Sequence, residues 1–330
     1  MVGLALAPTA YAAKPFVLKF ASLAPEGSTW QNGLQAAADE IKERSGGRLV
    51  FRMYPGGVAG DEKDVLRKIK IGQFHGGAFT GVGLGEICPS VRVMEVPFFF
   101  HNYEEVDHVS RDLMPRFAAG FERNAFKLLG WMEVGFIQFF SKHPIHSLDE
   151  LRQRKVWMWE GDPLAEAFFA ASEIHPVPLS ITEVLTSLST NLIDTVYASP
   201  LGAIALQWSS KVQYMSEVPM ANGIAGVVVS RQFFDRLPVD LQALLEEVVA
   251  RHSRTLVERT RADNQASMVV MKARGIEVTF DRASLPPEEV RTIQSRAIDR
   301  LVGNLFTQEL VDEVLASLRE FRAEQAASGS

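Results

Sequence analysis

The sequence predicts an α/β fold of two lobes with a ligand cleft between them. Three observations predict it: strands alternate with helices along the chain, the alternation starts a second time after about residue 125, and one late helical segment is too long for a single lobe. The length of 330 residues agrees, because it is more typical of two domains than of one. We therefore expect two similar α/β halves and a cleft suited to a small ligand.

The first half of the chain predicts a series of strand–helix units. Its first helix shows the reasoning: Ser28 is a favourable N-cap, apolar residues recur on one face from Leu34 to Ile41, and two glycines end the segment. We expect the strands to form a largely parallel sheet, with loops and helix N-termini along the edge where such sheets bind ligands. The expected elements are strands over 16–21, 48–54, 76–80 and 92–95, and helices over 29–44, 62–71 and 103–124.

The alternation begins again in the second half. The run SLDEL predicts a capped helical turn, and Asp162 followed by Pro163 marks the start of a further helix. The expected elements are strands over 127–133, 135–141, 155–159, 176–179 and 195–198, and helices from 163 to 171 and over 182–190.

One segment, 238–273, keeps a helical spacing of apolar residues without an internal proline or glycine. At 1.5 Å per residue it would be about 50 Å long, which predicts a helix that spans both lobes. Two helices with a kink near His252 are the alternative. A strand over 276–280 and helices over 287–301 and 307–323 complete the prediction.

The crossing points of the chain predict where each lobe begins and ends. We expect residues 13–134 and 223–262 in the first lobe, and residues 135–222 and 263–330 in the second. Residues 1–12, MVGLALAPTAYA, are apolar and end in a small-x-small pattern, which is typical of the end of a secretory signal peptide. An ordinary apolar N-terminus is the alternative. No later stretch is apolar enough to predict a membrane span.

Charge and motif content limit the function. Lys and Arg number 34 against 40 Asp and Glu, so the net charge is −6, and clustered basic residues that would bind nucleic acid or an anionic membrane are absent from the sequence. Cys88 is the single cysteine, and we expect it to be buried and inert. The seven histidines form no HExxH pair, and GVGLG is only half of a dinucleotide fingerprint. We therefore expect a binding protein without catalytic residues, metal or cofactor.

Seven motifs, in order, carry a family resemblance over nearly the whole chain. They are GGRLVFRMYPGGVAGDEKDVLRKIKIGQF, VMEVPFFFHNYEEVDHV, LLGWMEVGF, SLDELRQRKVW, EVLTSLSTNLIDTVYASPL and VVVSRQFFDRLP, together with the opening strand and helix. The chain resembles the dicarboxylate-receptor-like solute receptors of tripartite ATP-independent periplasmic (TRAP) transporters. The resemblance implies a periplasmic binding protein fold whose two lobes close over a ligand and deliver it to a membrane permease.

The resemblance also implies an arginine that binds a substrate carboxylate, in the strand after a DL-x-G-x-K turn. Trp157 stands at that position here, and Ile137 stands where a second arginine usually follows Gly-Phe. A bidentate guanidinium clamp for a carboxylate is therefore expected to be missing. An indole instead offers a broad apolar face and one N–H donor, which suits a ring or an alkyl chain.

Trp157 and Trp159 lie on one face of the predicted strand because side chains alternate along a strand. We expect a ligand that is neutral, or an acid held by groups other than the usual arginine. Two alternatives stay open: the tryptophans pack only as core, or they hold an organic cation together with Glu160 and Asp162. A different functional class, a sensor that reports its ligand to a membrane kinase, is also open.

The candidate ligand-binding residues lie at strand ends, at helix starts and in the tryptophan strand. Free backbone N–H groups at the first helix N-terminus would suit a ligand oxygen. The candidates are Thr29, Trp30, Thr80, Ile137, Phe139, Trp157, Trp159, Glu160, Tyr197, Ser199, Trp208 and Asn222.

Overall fold

The computed structural model describes residues 14–281 and 284–328, so the expected signal segment 1–12 lies outside the described residues. Most of the predicted strands are present in the expected order. The strands expected over 127–133 and 135–141 form a single strand, however, and the strands Tyr214–Ser216 and Ala221–Ser230 were not predicted. The strands are β1 (Phe16–Ser22), β2 (Leu49–Tyr54), β3 (Gly76–Thr80), β4 (Phe126–Ser141), β5 (Trp157–Trp159), β6 (Val177–Leu179), β7 (Thr195–Ala198), β8 (Tyr214–Ser216), β9 (Ala221–Ser230) and β10 (Glu277–Phe280).

The helices alternate with these strands. They are α1 (Thr29–Arg44), α2 (Glu62–Lys70), α3 (Gly81–Ile87), α4 (Tyr103–Arg123), α5 (Leu148–Arg152), α6 (Pro163–Ala171), α7 (Val184–Ser189), α8 (Pro200–Ala205), α9 (Arg231–Phe234), α10 (Val239–Ala273), α11 (Pro287–Leu301) and α12 (Gln308–Ser328). Short 3₁₀ helices cover Pro89–Glu95, Ile181–Glu183 and Trp208–Lys211. Among the helices within the described ranges, none combines the length and the apolar character needed to cross a membrane.

The two lobes share strands that run from one into the other. The sheet order is β10-β8-β4-β9-β3-β1-β2, with β7 also paired to β4. In the first lobe β1 lies parallel to β2 and β3. The first part of the 16-residue strand β4 pairs with β9, and its last residues pair with β7 and β8. The strands β4 and β9 therefore connect the lobes.

The crossing point in β4 is an irregular place in the sheet. The pairing register with β9 shifts between Glu133 and Gly135, and Gly135 has φ +101°, a value that side-chain-bearing residues rarely adopt. The Asn264 amide of α10 donates to the Val134 carbonyl oxygen (3.0 Å) and accepts from the Leu201 backbone N–H (2.9 Å) at α8. The long helix is thus bonded to the crossing strand and to the second lobe at one residue.

The long helix α10 is a single uninterrupted helix of 35 residues, and the alternative of two helices divided near His252 is wrong. It contacts α1 in the first lobe, β4 at the crossing and α8 in the second lobe. Leu241, Leu245 and Leu256 lie on its buried face. Helical periodicity predicted this element correctly because its apolar stripe is continuous.

Two further parts of the fold differ from the sequence prediction. The segment expected as a strand over 92–95 belongs to the buried 3₁₀ helix Pro89–Glu95, because a short buried run has no amphipathic pattern that separates strand from helix. Helix α12, expected in the second lobe, packs on α4 of the first, where Leu310 and Val314 join the core cluster of Phe117. An apolar stripe identifies a buried face but not its partner, so we keep the two-lobe division as a proposal with α12 in the first lobe.

Candidate ligand-binding site

A cavity of about 220 Å³ lies between the two lobes, at the ends of the parallel strands. Thr80, at the end of β3, and Arg92 line it from the first lobe, and Trp157 and Tyr197 line it from the second. Most of its wall consists of apolar and aromatic side chains, as in sites for small organic molecules.

Most of the candidate residues line this cavity, although their role in binding stays a prediction. Those on the wall are Trp30, Thr80, Ile137, Trp157, Trp159, Tyr197, Ser199, Trp208 and Asn222. Alternation along the strand placed Trp157 and Trp159 correctly on a common wall.

The structure places the other three candidates elsewhere. Glu160 is exposed in the turn that follows β5 and does not line the cavity. The Thr29 hydroxyl donates to Asp263 of α10 (2.5 Å), so this residue links two helices. Phe139 does not line the cavity and is buried in an apolar cluster that includes Phe168 and Phe169.

The Trp157 ring is both part of the wall and part of the core. Only 1% of the residue is exposed. Its ring stacks on the Tyr197 ring with 4.7 Å between centroids, and it packs edge-to-face with the Trp208 ring at 5.2 Å between centroids. Its Nε1–H donates to the Leu179 carbonyl oxygen (3.0 Å), so the one N–H donor of this indole is already bonded within the protein. What Trp157 offers a ligand is an apolar ring held in place.

Three buried charged residues at the site were not predicted from the sequence. Arg92 lies 2.7 Å from Glu95 Oε2 through its Nε and 3.0 Å from the Asp162 carboxylate through a terminal nitrogen. Glu62 accepts hydrogen bonds from the backbone N–H groups of Thr80 (2.7 Å) and Gly83 (2.6 Å) at the start of α3. The signal in the sequence was the pair of charges, Arg92 and Glu95, three residues apart in an otherwise apolar run.

Burial changes the proton affinity of these groups. Desolvation raises the pKa of Glu62 and of Glu95 to about 7, even though backbone N–H groups and Arg92 favour their charged forms. Burial lowers the pKa of Arg92, but Asp162 and Glu95 outweigh it and hold that pKa above its ordinary value. Desolvation also raises the pKa of Tyr197. The guanidinium is therefore charged, whereas the two glutamates titrate near neutral pH.

The charges on the described part of the wall leave no surplus positive charge. Its charged side chains are one arginine, Arg92, and three carboxyl groups, those of Glu62, Glu95 and Asp162. The guanidinium lies beside a carboxylate at its Nε and beside a second carboxylate at one terminal nitrogen. An anionic ligand would have to displace one of these carboxylates from Arg92, because an unpaired buried charge is costly.

The lobes touch directly at the N-terminus of α2. The Asp61 carboxylate, which caps α2, accepts hydrogen bonds from Trp159 Nε1 (3.2 Å) and from the Ser180 hydroxyl (2.6 Å), both in the second lobe. Lys63 donates to the Gly161 carbonyl oxygen (2.7 Å) across the same gap. These bonds, with the Arg92–Asp162 pair, connect the two lobes beside the cavity.

The described residues contain no group of three or more His, Cys, Asp or Glu side chains arranged to hold a metal ion. Cys88 is buried, as expected. The glycine-rich GVGLG segment forms most of helix α3, whose N-terminus is covered by Glu62 rather than open to a phosphate.

Comparisons with known proteins agree with this architecture. A model of the bacterial extracellular solute-binding protein family 7 matches residues 20–296. The sialic acid-binding periplasmic protein SiaP of Vibrio cholerae is 22% identical over 274 residues, which cover 80% of this chain and 82% of that protein. The C4-dicarboxylate-binding periplasmic protein DctP of Rhodobacter capsulatus is 21% identical over 297 residues and 88% of each protein.

Solved structures share the fold. The extracytoplasmic solute receptor DctP7 of Bordetella pertussis, which binds pyroglutamic acid, has a TM-score of 0.82 at 18% identity over 92% of this chain and 99% of that one. A TRAP periplasmic solute-binding protein of Sulfitobacter with bound β-D-galacturonate also has a TM-score of 0.82. It is 17% identical, again over 92% of this chain and 99% of that one. The chain belongs to the bacterial extracellular solute-binding protein family 7 and is a solute receptor of the TRAP transporter type.

Proposed function

We propose that this receptor is exported to the periplasm, captures a neutral small organic molecule with a ring or alkyl portion, and delivers it to a TRAP membrane permease. The observation that carries the proposal is the pairing of Arg92. It is the one guanidinium on the described cavity wall, and Asp162 and Glu95 already neutralise it. Trp157 occupies the place where the resemblance implies a free arginine.

The aromatic wall supports an apolar ligand portion. Trp157, Trp159, Tyr197 and Trp208 surround one side of the cavity, and the other three ring centroids lie within 6.0 Å of the Trp157 ring centroid. Burying an apolar group against such rings contributes about 25 cal/mol per Å² of area removed from water. The named relatives bind acids, so a neutral ligand would set this receptor apart from them in ligand charge.

The two-lobe fold supports capture by closure. Ligand binding shifts the open–closed equilibrium only through contacts that are stronger in the closed state. Trp157 of the second lobe and Thr80 of the first line the same cavity, so a ligand that touches both stabilises closure. The apolar segment 1–12 supports export, and the periplasmic location of the family agrees with it.

A carboxylate-binding receptor with non-standard contacts is the second candidate, and Arg92 is the observation that favours it. Protonation of Glu95 would leave that carboxyl neutral, and Arg92 could then pair with a ligand carboxylate. This mode predicts tighter binding as the pH falls through about 7, because protonated Glu95 no longer competes for the guanidinium. A neutral ligand predicts no such increase.

Titration of purified protein, stripped of copurifying ligand by unfolding and refolding, tests the two candidates. Tryptophan fluorescence is recorded at two pH values, on either side of neutral, with neutral aromatic compounds, aromatic ammonium compounds and dicarboxylates. We expect the neutral set to bind with an affinity independent of pH. Binding of malate or succinate that strengthens at the lower pH, with no response to neutral compounds, would refute the neutral-ligand proposal in favour of the second candidate.

A further inference from the structure

Asn222 carries an unused hydrogen-bonding group into the cavity. The residue lies near the start of β9, is 1% exposed and lines the cavity wall. Neither the donor Nδ2 nor the acceptor Oδ1 of its amide has a hydrogen-bond partner among the described residues. Buried polar groups in folded proteins are normally paired, so an orphaned donor and acceptor at a cavity wall indicate a partner that enters with the ligand.

The neighbouring Glu95 carboxylate is already paired within the protein. Glu95 accepts a hydrogen bond from the Ile224 backbone N–H (2.9 Å) through Oε1, two residues along the strand from Asn222. Its other oxygen, Oε2, lies 2.7 Å from Arg92 Nε. The group left open to a ligand at this point of the described wall is therefore the Asn222 amide, with one donor nitrogen and one acceptor oxygen.

We propose that Asn222 is the specificity-determining residue of the site and that it binds a neutral amide group of the ligand, a carboxamide or a lactam. The ligand carbonyl oxygen accepts from Asn222 Nδ2, and the ligand N–H donates to Asn222 Oδ1. The inference rests on the proposed function, because it names the polar group of the neutral ligand that the aromatic wall holds.

Other polar groups match this wall less well. A carboxylate brings only acceptors, which face Asn222 Oδ1 and the carboxyl groups of Glu95 and Asp162. An ammonium group brings only donors and lies close to the charged Arg92. An ester or ketone has no donor for Oδ1, so that atom stays unpaired after binding. Of these groups, only an amide supplies an adjacent donor and acceptor without a charge.

A matched series on one ring tests the inference without changing the protein. The probes of the first series are benzamide, methyl benzoate, benzoate and benzylammonium. A second series carries the same four polar groups (carboxamide, methyl ester, carboxylate and ammonium) on an indole-3-acetyl or indole-3-ethyl frame. Affinity is measured by calorimetry and by ligand-induced change in melting temperature. We expect the amide of at least one series to bind about tenfold more tightly than its ester, because the site rejects analogues that leave its polar groups unpaired.

Variants then assign the preference to one side chain. Asn222→Ala should reduce amide affinity about tenfold, to the level of the ester, while ester affinity stays the same within about twofold. Asn222→Leu, closer in volume, repeats the test if the alanine variant folds poorly. Asn304→Ala, which removes an exposed asparagine between α11 and α12, is the matched control and should leave both affinities unchanged.

The outcomes separate this inference from the proposed function. Equal affinity for amide and ester would overturn the role of Asn222 but leave the neutral aromatic ligand intact. Tightest binding of benzoate would overturn both. Amide binding that Asn222→Ala and Asn222→Leu leave unchanged, or no binding of any amide at about 1 mM, would also overturn the inference.

Discussion

The Trp157 ring stacks on the Tyr197 ring with 4.7 Å between their centroids and 23° between their planes, and this pair joins β5 to β7 at the cavity wall. Trp159 reinforces the arrangement, because its backbone N–H donates to the Tyr197 hydroxyl oxygen (3.1 Å). The same contacts thus build the core of the second lobe and shape the surface that a ligand meets.

Replacing Trp157 should therefore affect stability and binding together. Trp157→Ala is expected to lower the free energy of unfolding by about 3 to 5 kcal/mol, because it removes a fully buried ring and leaves a cavity. Trp157→Phe keeps an aromatic face and should lose less stability and less ligand affinity. Urea unfolding measures the stability change, and titration with a neutral aromatic ligand measures affinity. Binding unchanged in Trp157→Ala would show that the ring acts only as core.

The Asp61 carboxylate is expected to stabilise the closed arrangement of the lobes. Asp61→Ala removes the bonds from Trp159 and Ser180 in the second lobe, so the ligand-free protein should populate open forms more. Small-angle X-ray scattering should then show a larger radius of gyration for the variant without ligand, and ligand should restore the compact value.

Asp64→Ala is the matched control for the Asp61 experiment. Asp64 accepts a bond from the Asp61 backbone N–H (3.3 Å) in the capping box of α2, and among the described residues it makes no hydrogen bond or ion pair to the second lobe. The Asp64→Ala substitution should lower the free energy of unfolding by about 1 kcal/mol, because it weakens the helix cap, and it should not open the lobes. An equal expansion in both variants would mean that α2 capping, and not the interlobe bonds, controls closure.

The two roles of Asp162 can be measured separately. Its carboxylate caps α6 by accepting from the Leu164 backbone N–H (3.1 Å) and pairs with Arg92 (3.0 Å). Asp162→Asn keeps a good N-cap but leaves the buried guanidinium with one carboxylate, which should lower stability by about 3 kcal/mol. Asp162→Ala should lose about 1 kcal/mol more through the cap. Wild-type stability of Asp162→Asn would show that Glu95 alone satisfies Arg92.

The buried glutamates predict greater stability in mild acid. The folded-state pKa of Glu62 and Glu95 is about 7, above the value of 4.5 for an exposed glutamate, so the folded protein takes up protons first and gains stability as the pH falls between these values. Glu40 acts in the opposite direction at lower pH, because the hydrogen bond that it accepts from Arg251 lowers its pKa to about 2. The stability that this ionised carboxylate contributes is lost as the pH falls from 4.5 towards 2.

Melting temperature should therefore be highest at about pH 5. Differential scanning fluorimetry in matched buffers measures it across the acid and neutral range, and Glu95→Gln should reduce the slope between about pH 5 and 7 because it removes one titrating group. A melting temperature that rises steadily from pH 5 to 7 would contradict the effect of burial on these two carboxyl groups.

The sequence by itself determined the two-lobe architecture and most of the elements, but it did not predict β9, one of the two strands that connect the lobes. Local patterns were sufficient for α1, where a capping serine, an apolar face and terminal glycines agree, and for α10, whose stripe is unbroken over 35 residues. The family motifs located Trp157, the expected crossing between the lobes located Asn222, and both line the cavity. These features depend on neighbours within a few residues or on the order of motifs.

Only the tertiary structure decided how the charges of the site are paired. Arg92 and Asp162 are 70 residues apart in the chain and 3.0 Å apart in space, and no local pattern predicts such a contact. The partner of α12 and the bonded state of the Trp157 N–H were decided in the same way. Periodicity indicates which face of an element is buried, whereas the partner of a buried polar group depends on how distant segments pack.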